Sequence, residues 1–151
     1  MSSIANETEF RTALDALSDQ QQRAVGALFV ENVISLNGDD RVAQALAAAR
    51  DPEISDDVIT MVRHAIKAAS LEAHARCGAD GKWIDQASYF VARAAEACVE
   101  PEGRAQGKGP AWKAAMSARM AKTCLAAEGE EDAHDSERLA QYKILTSYLD
   151  A

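Results

Sequence analysis

Between Val58 and Val99 the chain carries two long, alanine-rich segments joined at Cys77-Gly78-Ala79-Asp80-Gly81. Nothing else in the sequence limits the fold as strongly. Each segment repeats its apolar residues at helical spacing over more than four turns, and no alternating pattern competes with it. Hydrophobic residues make up 48% of the chain but aromatics only 5%, so the apolar content is largely alanine. Small side chains let helices approach closely, yet each buries little area, and stability must come from many modest contacts. The expected fold is all-α, a bundle of about seven helices, four of them long. A length of 151 residues suits one domain over residues 1–151, with residues 1–5 expected to fray.

The helix punctuation is local. A first helix is expected from Glu7 to Leu17, with Phe10, Leu14 and Leu17 on one stripe. Ser18 and Gln21 form a capping box for a second helix running to Leu36. Asn37-Gly38 is read as its stop, because both residues tolerate the left-handed conformation. Asp39 or Asp40 caps a short helix to Arg50, and Ser55 opens a helix from Asp56 to Cys77, with Gly78 as the residue beyond its end. That helix is expected to turn Val58, Val62, Ala65, Ala69 and Ala73 inward. Lys82 to Val99, Pro110 to Ala127 and Ser136 to Leu149 complete the set. In the last of these, Leu139, Tyr142, Leu145 and Leu149 share a stripe.

Charge and composition narrow the function. With 24 acidic and 16 basic residues the formal net charge is −8, against a nucleic-acid binder, which needs a basic stripe to neutralise phosphates. Met1 to Asn6 lacks the basic start and apolar run of an export signal, and no stretch approaches the roughly 20 apolar residues of a membrane span. Three cysteines, an odd number, fit reduced thiols in a cytoplasm. There is no Walker loop, dinucleotide-binding glycine pattern, HExxH or GxSxG, and no Glu-x-x-His on each of two helices as di-iron bundles use, so no catalytic residue and no cofactor is assigned.

Cys77, Cys98 and Cys124 each fall near the C-terminal end of a helix. In an up-down-up path Cys77 and Cys124 lie at one end and Cys98 about 25–30 Å away. A metal site could then use only His74, Cys77 and Cys124, short of the four ligands that zinc prefers. Small apolar filling is the other role for Cys98 and Cys124.

Misplaced charge is the stronger signal. Glu72 and Arg76 continue the apolar stripe of their helix and are four residues apart, able to pair. Arg119 lies between Trp112, Met116 and Thr123, and Asn32 falls inside the apolar face of the second helix. A charge in an apolar face needs a partner, since its desolvation otherwise costs several kcal/mol. Two readings follow. In one, Arg76 and Arg119 are structural, snorkelling to water and bridging to Glu72; in the other, Glu72, Arg76, Arg119 and Asn32 line a polar pocket that binds an anionic or amide-bearing ligand. Trp83 and Trp112 each open a helix and are expected to anchor the core, at opposite ends. His64, His74 and His134 are expected on the surface or at helix contacts.

The run Phe29-Val30-Glu31-Asn32-Val33, then Asp40-Arg41-Val42 with the helix from Ala45 to Ala49, then Glu53-Ile54-Ser55, resembles the helical immunity proteins of bacterial polymorphic-toxin systems. The resemblance covers residues 24–125. It implies a small cytosolic bundle that binds and neutralises a cognate toxin. The Cys77-Gly78 stop, the run Gln86 to Ala92 and the segment Arg119 to Cys124 depart from that pattern and look more like a bacterial all-helical family of its own. No functional residue is carried over. The leading expectation is a non-enzymatic interaction protein for a basic protein partner, with an acidic surface at helix ends and at the connectors Glu102 to Gly109 and Glu128 to Asp135. The alternatives are the ligand- or metal-binding bundle and a structural homodimer.

Overall fold

Short polar side chains sit at the start of the first four helices and bond the exposed backbone N–H groups there. The Asn6 Oδ1 accepts from the Glu9 N–H at 2.9 Å, Asp39 from the Arg41 N–H at 2.9 Å and Ser55 from the Val58 N–H at 3.2 Å. Ser18 and Gln21 form the expected reciprocal box at 3.2 and 3.0 Å. The computed structural model describes residues 3–78, 81–101, 109–126, 129 and 132–151. Among them are α1 (Glu7–Asp15), α2 (Asp19–Glu31), a 3-10 turn (Ile34–Leu36), α3 (Asp40–Arg50), α4 (Asp56–Arg76), α5 (Trp83–Cys98), α6 (Pro110–Ala126) and α7 (Ala133–Asp150), with no strand. No described helix is long and apolar enough to cross a membrane.

The helix α5 is the centre of the bundle, packed between α4 and α6 and touched by α2 and α3. Five of its seven buried residues are alanine: Ala87, Ala92, Ala94, Ala95 and Ala97. This face allows close approach, and Gly26 of α2 continues it. A Cβ at Gly26 would lie 3.2 Å from the Cys98 Sγ and 3.5 Å from both Ala111 and Ala114. Around α5 the larger residues Val30, Val42, Leu46, Ile66 and Val91 fill one apolar cluster. A second cluster joins α1, α2, α6 and α7 through Phe10, Leu14, Val25, Phe29, Tyr142 and Leu145. Its aromatic centre is Phe10, whose ring lies 5.7 Å from Phe29 and 5.3 Å from Tyr142.

Several expectations are corrected. Ile4 is not frayed: it packs on the second cluster, and its N–H donates to the Thr146 Oγ1 at 3.2 Å. The helix α2 stops at Glu31, short of Leu36, because Asn37 is tied elsewhere. The Asn37 Nδ2 donates to the Ser88 carbonyl at 2.9 Å, and its Oδ1 accepts from the Asp39 N–H at 2.8 Å. The stop is thus a tertiary anchor, and neither Asn37 nor Gly38 is left-handed; among the described residues between α4 and α5, Gly81 is, at φ 51°.

The helix α4 buries Ile59, Ile66, Ala69 and Ala73, so Val58 turns outward at 48% exposure. The two isoleucines remove more area from water than valine and alanine would, and they set the rotation. The helix α7 buries Glu137 and Gln141 with Tyr142 and Leu145, leaving Leu139 and Leu149 exposed. Trp83 is also exposed and does not anchor the core, whereas Trp112 packs on the second cluster with the Arg11 guanidinium over its ring at 4.9 Å.

Candidate functional site

The charges singled out from the sequence do not converge on one pocket. Arg119 is 5% exposed and belongs to the second cluster. Its Nε donates to the Gln141 Oε1 at 2.7 Å and its Nη1 to the Glu7 Oε1 at 2.7 Å. The Tyr142 hydroxyl donates to the other Glu7 oxygen at 2.6 Å, and the Gln141 Nε2 donates to the Ala115 carbonyl at 2.9 Å. The guanidinium also lies 5.3 Å from the Phe10 ring centroid. Only the buried Nη2 has no partner among the described residues. Burial alone would raise the Glu7 carboxyl, but the hydrogen bonds from Arg119 and Tyr142 outweigh it and hold Glu7 below the usual carboxylate range. The set ties α1 to α6 and α7, which is a structural role.

Glu72 and Arg76 are both exposed, contrary to the expected buried face, because Ile59 and Ile66 rotate α4 away from it. Glu72 pairs with the Arg41 Nη1 at 2.6 Å, not with Arg76. Arg41 also grips Asp39 at 2.7 Å, so the link fastens the start of α3 to the last turns of α4. Asn32, exposed at the end of α2, donates to both oxygens of the buried Glu137, at 2.6 and 3.1 Å. Desolvation raises the Glu137 carboxyl, and the Asn32 bond only partly offsets it. Asn32 does line a groove, about 710 Å³ between α2 and α7, but it shares it with Leu28, Lys143 and Tyr148.

The thiols are free. Burial raises the Cys124 thiol, and the proximity of Cys77 adds to it; the two follow or close the C-terminal turns of α4 and α6. Cys77 donates weakly to the Ala73 and Asp85 carbonyls, and burial pushes Cys98 up to about 12. The His74 ring instead packs against Tyr89 at 5.2 Å. Among the described residues no three His, Cys, Asp or Glu side chains are placed to hold a metal ion, so the set His74, Cys77 and Cys124 does not form a centre.

The surface has one feature that the sequence reading missed. The helix α4 packs mainly on α3 and α5, and its opposite side also carries apolar residues. Taking 100° per residue, Val58, Met61, Ala65, Ala68 and Leu71 fall within about 140° of each other, an arc they share with the exposed Asp57, His64, Glu72 and Arg76. Met61 is 71% and Leu71 63% exposed. Beside the start of this stripe the α3–α4 connector exposes Asp51, Glu53, Asp56 and Asp57. The available signal was that Val58, Met61, Ala65, Ala68 and Leu71 form a second apolar run beside the buried one, more than one stripe requires. Of the expected acidic connectors, residues 102–108, 128, 130 and 131 lie outside the described residues. Comparison of the chain with protein-family models, curated proteins and solved structures gave no match.

Proposed function

We propose that this protein is a non-enzymatic interaction module that binds a basic protein partner through the outer face of α4 and the acidic connector before it. The observation that carries this reading is the exposure of Met61 and Leu71 on one side of one helix. Large apolar side chains left this exposed on one side of a helix, rimmed by charge, mark a candidate contact site. The adjacent carboxylates of Asp51, Glu53, Asp56 and Asp57 favour a partner with lysine or arginine around an apolar centre. Toxin neutralisation, one copy to one toxin, is the concrete version and rests on the resemblance alone. The reading goes with a reducing cytoplasm, supported by three free thiols.

The test begins with capture of the partner from native cytosol and measurement of one-to-one affinity. Met61→Arg and Leu71→Arg are expected to weaken binding by about tenfold or more each, the size of a hot-spot loss. Both positions are exposed, so the thermal midpoint should stay near wild type. Affinity should also fall between about 50 and about 500 mM salt. Unchanged binding by both variants, or affinity indifferent to salt, overturns the reading. Sedimentation of the protein alone covers the homodimer: self-association abolished by Met61→Arg would assign the face to a second copy.

A further inference from the structure

Beside Leu71, on the side of α4 that meets α5, lies an open cavity of about 400 Å³ where cationic, acidic and apolar side chains meet. Lys67, Ser70 and His74 come from successive turns of α4, and Tyr89, Arg93 and Glu96 come from α5. The Tyr89 ring packs between His74, at 5.2 Å, and Phe90, at 5.3 Å. The Tyr89 hydroxyl accepts from the Arg93 Nη1 at 2.8 Å, which holds the guanidinium at the rim. Glu96 lies 3.8 Å from the Arg93 Nε and offsets part of its charge.

Two polar groups here have no internal use. Ser70 is 4% exposed, and its buried hydroxyl has no hydrogen-bond partner among the described residues. Such groups are rare in folded proteins, because burial removes water without replacing it. Lys67 makes no ion pair or hydrogen bond among the described residues. The groove continues on either side to Arg63 and Lys113, but those cations are engaged, Arg63 with the Val99 carbonyl and Lys113 with Glu100 at 2.9 Å. Along this groove the groups left unmet are Lys67 and Ser70, both at one small cavity, which favours a small ligand over a long polyanion.

From this cavity we infer a binding site for a small phosphorylated molecule, its phosphate held by Lys67, Ser70 and Arg93 and its body against Tyr89. A lysine ammonium, a serine hydroxyl and a guanidinium arrive from two helices, so they suit the three oxygens of a tetrahedral phosphate better than the two coplanar oxygens of a carboxylate. The cavity size is within the range of small-molecule sites. This site stands independently of the proposed protein partner.

The test is calorimetric titration of the full chain at low ionic strength with phenyl phosphate, inorganic phosphate and benzoate. Phenyl phosphate should bind saturably, more tightly than inorganic phosphate, and benzoate at least about tenfold more weakly. Lys67→Ala and Arg93→Ala should each weaken phenyl phosphate about tenfold. Both side chains are exposed, so neither change threatens folding. Ser70→Ala should weaken binding several-fold while leaving the thermal midpoint unchanged or raised. Lys143→Ala, on α7, removes the same charge far from the cavity and should have no effect. Three results overturn the inference: no saturable binding at about 10 mM phenyl phosphate, equal losses from Lys143→Ala and Lys67→Ala, or benzoate binding as tightly as phenyl phosphate.

Discussion

The Arg119–Glu7 contact gives an asymmetric expectation that depends on which partner is left behind. The Arg119 side chain is 6% exposed and the Glu7 side chain 42% exposed. Replacing Glu7 with alanine leaves a guanidinium buried beside Phe10 with Gln141 as its remaining acceptor. Removing one member of a buried pair costs roughly 3–5 kcal/mol. Gln141 and the ring retain part of the compensation, so the low end, about 3 kcal/mol, is expected for Glu7→Ala. Replacing Arg119 with methionine instead removes the buried charge and keeps apolar volume against Phe10. Glu7 can then take up water on its open side and still accept from Tyr142. That change should cost only about 1 kcal/mol, mostly for the freed Gln141 acceptor. Urea unfolding followed by helical circular dichroism at neutral pH separates the two. In thermal terms Glu7→Ala should lower the midpoint by about 6–12 °C and Arg119→Met by about 2–4 °C.

The same pair sets an acid limb. Because the folded-state pKa of Glu7 lies below its ordinary value of 4.5, its contribution is fully present above that value. It is lost as pH falls through the lowered folded value, where the folded protein must also take up the proton. The gap between wild type and Glu7→Ala should therefore close in acid. If Arg119→Met destabilises as much as Glu7→Ala, or the gap persists once Glu7 is protonated, the account of a buried guanidinium relieved by a half-exposed carboxylate is wrong.

Glu137→Gln should stabilise the protein at neutral pH by about 1 kcal/mol, because the folded carboxyl is raised by desolvation and its ionisation opposes folding. The wild type loses stability as pH rises from the ordinary 4.5 through the raised folded value, so urea midpoints of the two proteins should converge near pH 4. Gly26→Ala should destabilise by about 1 kcal/mol, the 3.2 Å contact with the Cys98 sulfur outweighing the gain in helix propensity. The loss should shrink in a Cys98→Ala background, read as a double-mutant cycle. With a chromogenic disulfide reagent, half-buried Cys77 should react first and Cys98 last, at a rate tied to global unfolding. Equal rates for the two would contradict the packing of α5.

How much of this could be read from the chain depends on the range of the interaction concerned. Ser18 with Gln21, and Ser55 with Val58, are contacts three residues apart, and their meaning survives without tertiary context. The all-α class follows from the same short range. The rotation of α4 and α7 does not. Val58 and Ile59 both lie on plausible stripes, and only the competition between whole faces for α3 and α5 decides which one turns in. On α7 the apolar stripe misled, because Glu137 and Gln141 are buried to serve Asn32 and Arg119 on other helices. Arg119 was legible as a charge in an apolar face that needs a partner, but not as buried: it neither snorkels to water nor bridges to Glu72. Its partner, 112 residues earlier in α1, was not legible either.

The distinction between Arg119 and the Lys67 cavity shows how polar groups divide between fold and function. The desolvated donors of Arg119 meet acceptors on α1 and α7, and the Phe10 ring covers its plane, so the folded chain accounts for all of it but one nitrogen. Ser70 and Lys67 line a cavity, and neither the buried Ser70 hydroxyl nor the Lys67 ammonium has a polar partner among the described residues. The outer side of α4 is the apolar counterpart. Met61 and Leu71 together forgo roughly 2–4 kcal/mol by staying in water, from about 1.5–3 kcal/mol for each such side chain when fully buried. A rotation of α4 could bury them only by exposing Ile59 and Ile66, which fill the space against α3 and α5 together with Ala69 and Ala73. The small residues among them let α4 approach the alanine surface of α5. Met61 and Leu71 are thereby left outside, where their burial is available to a partner.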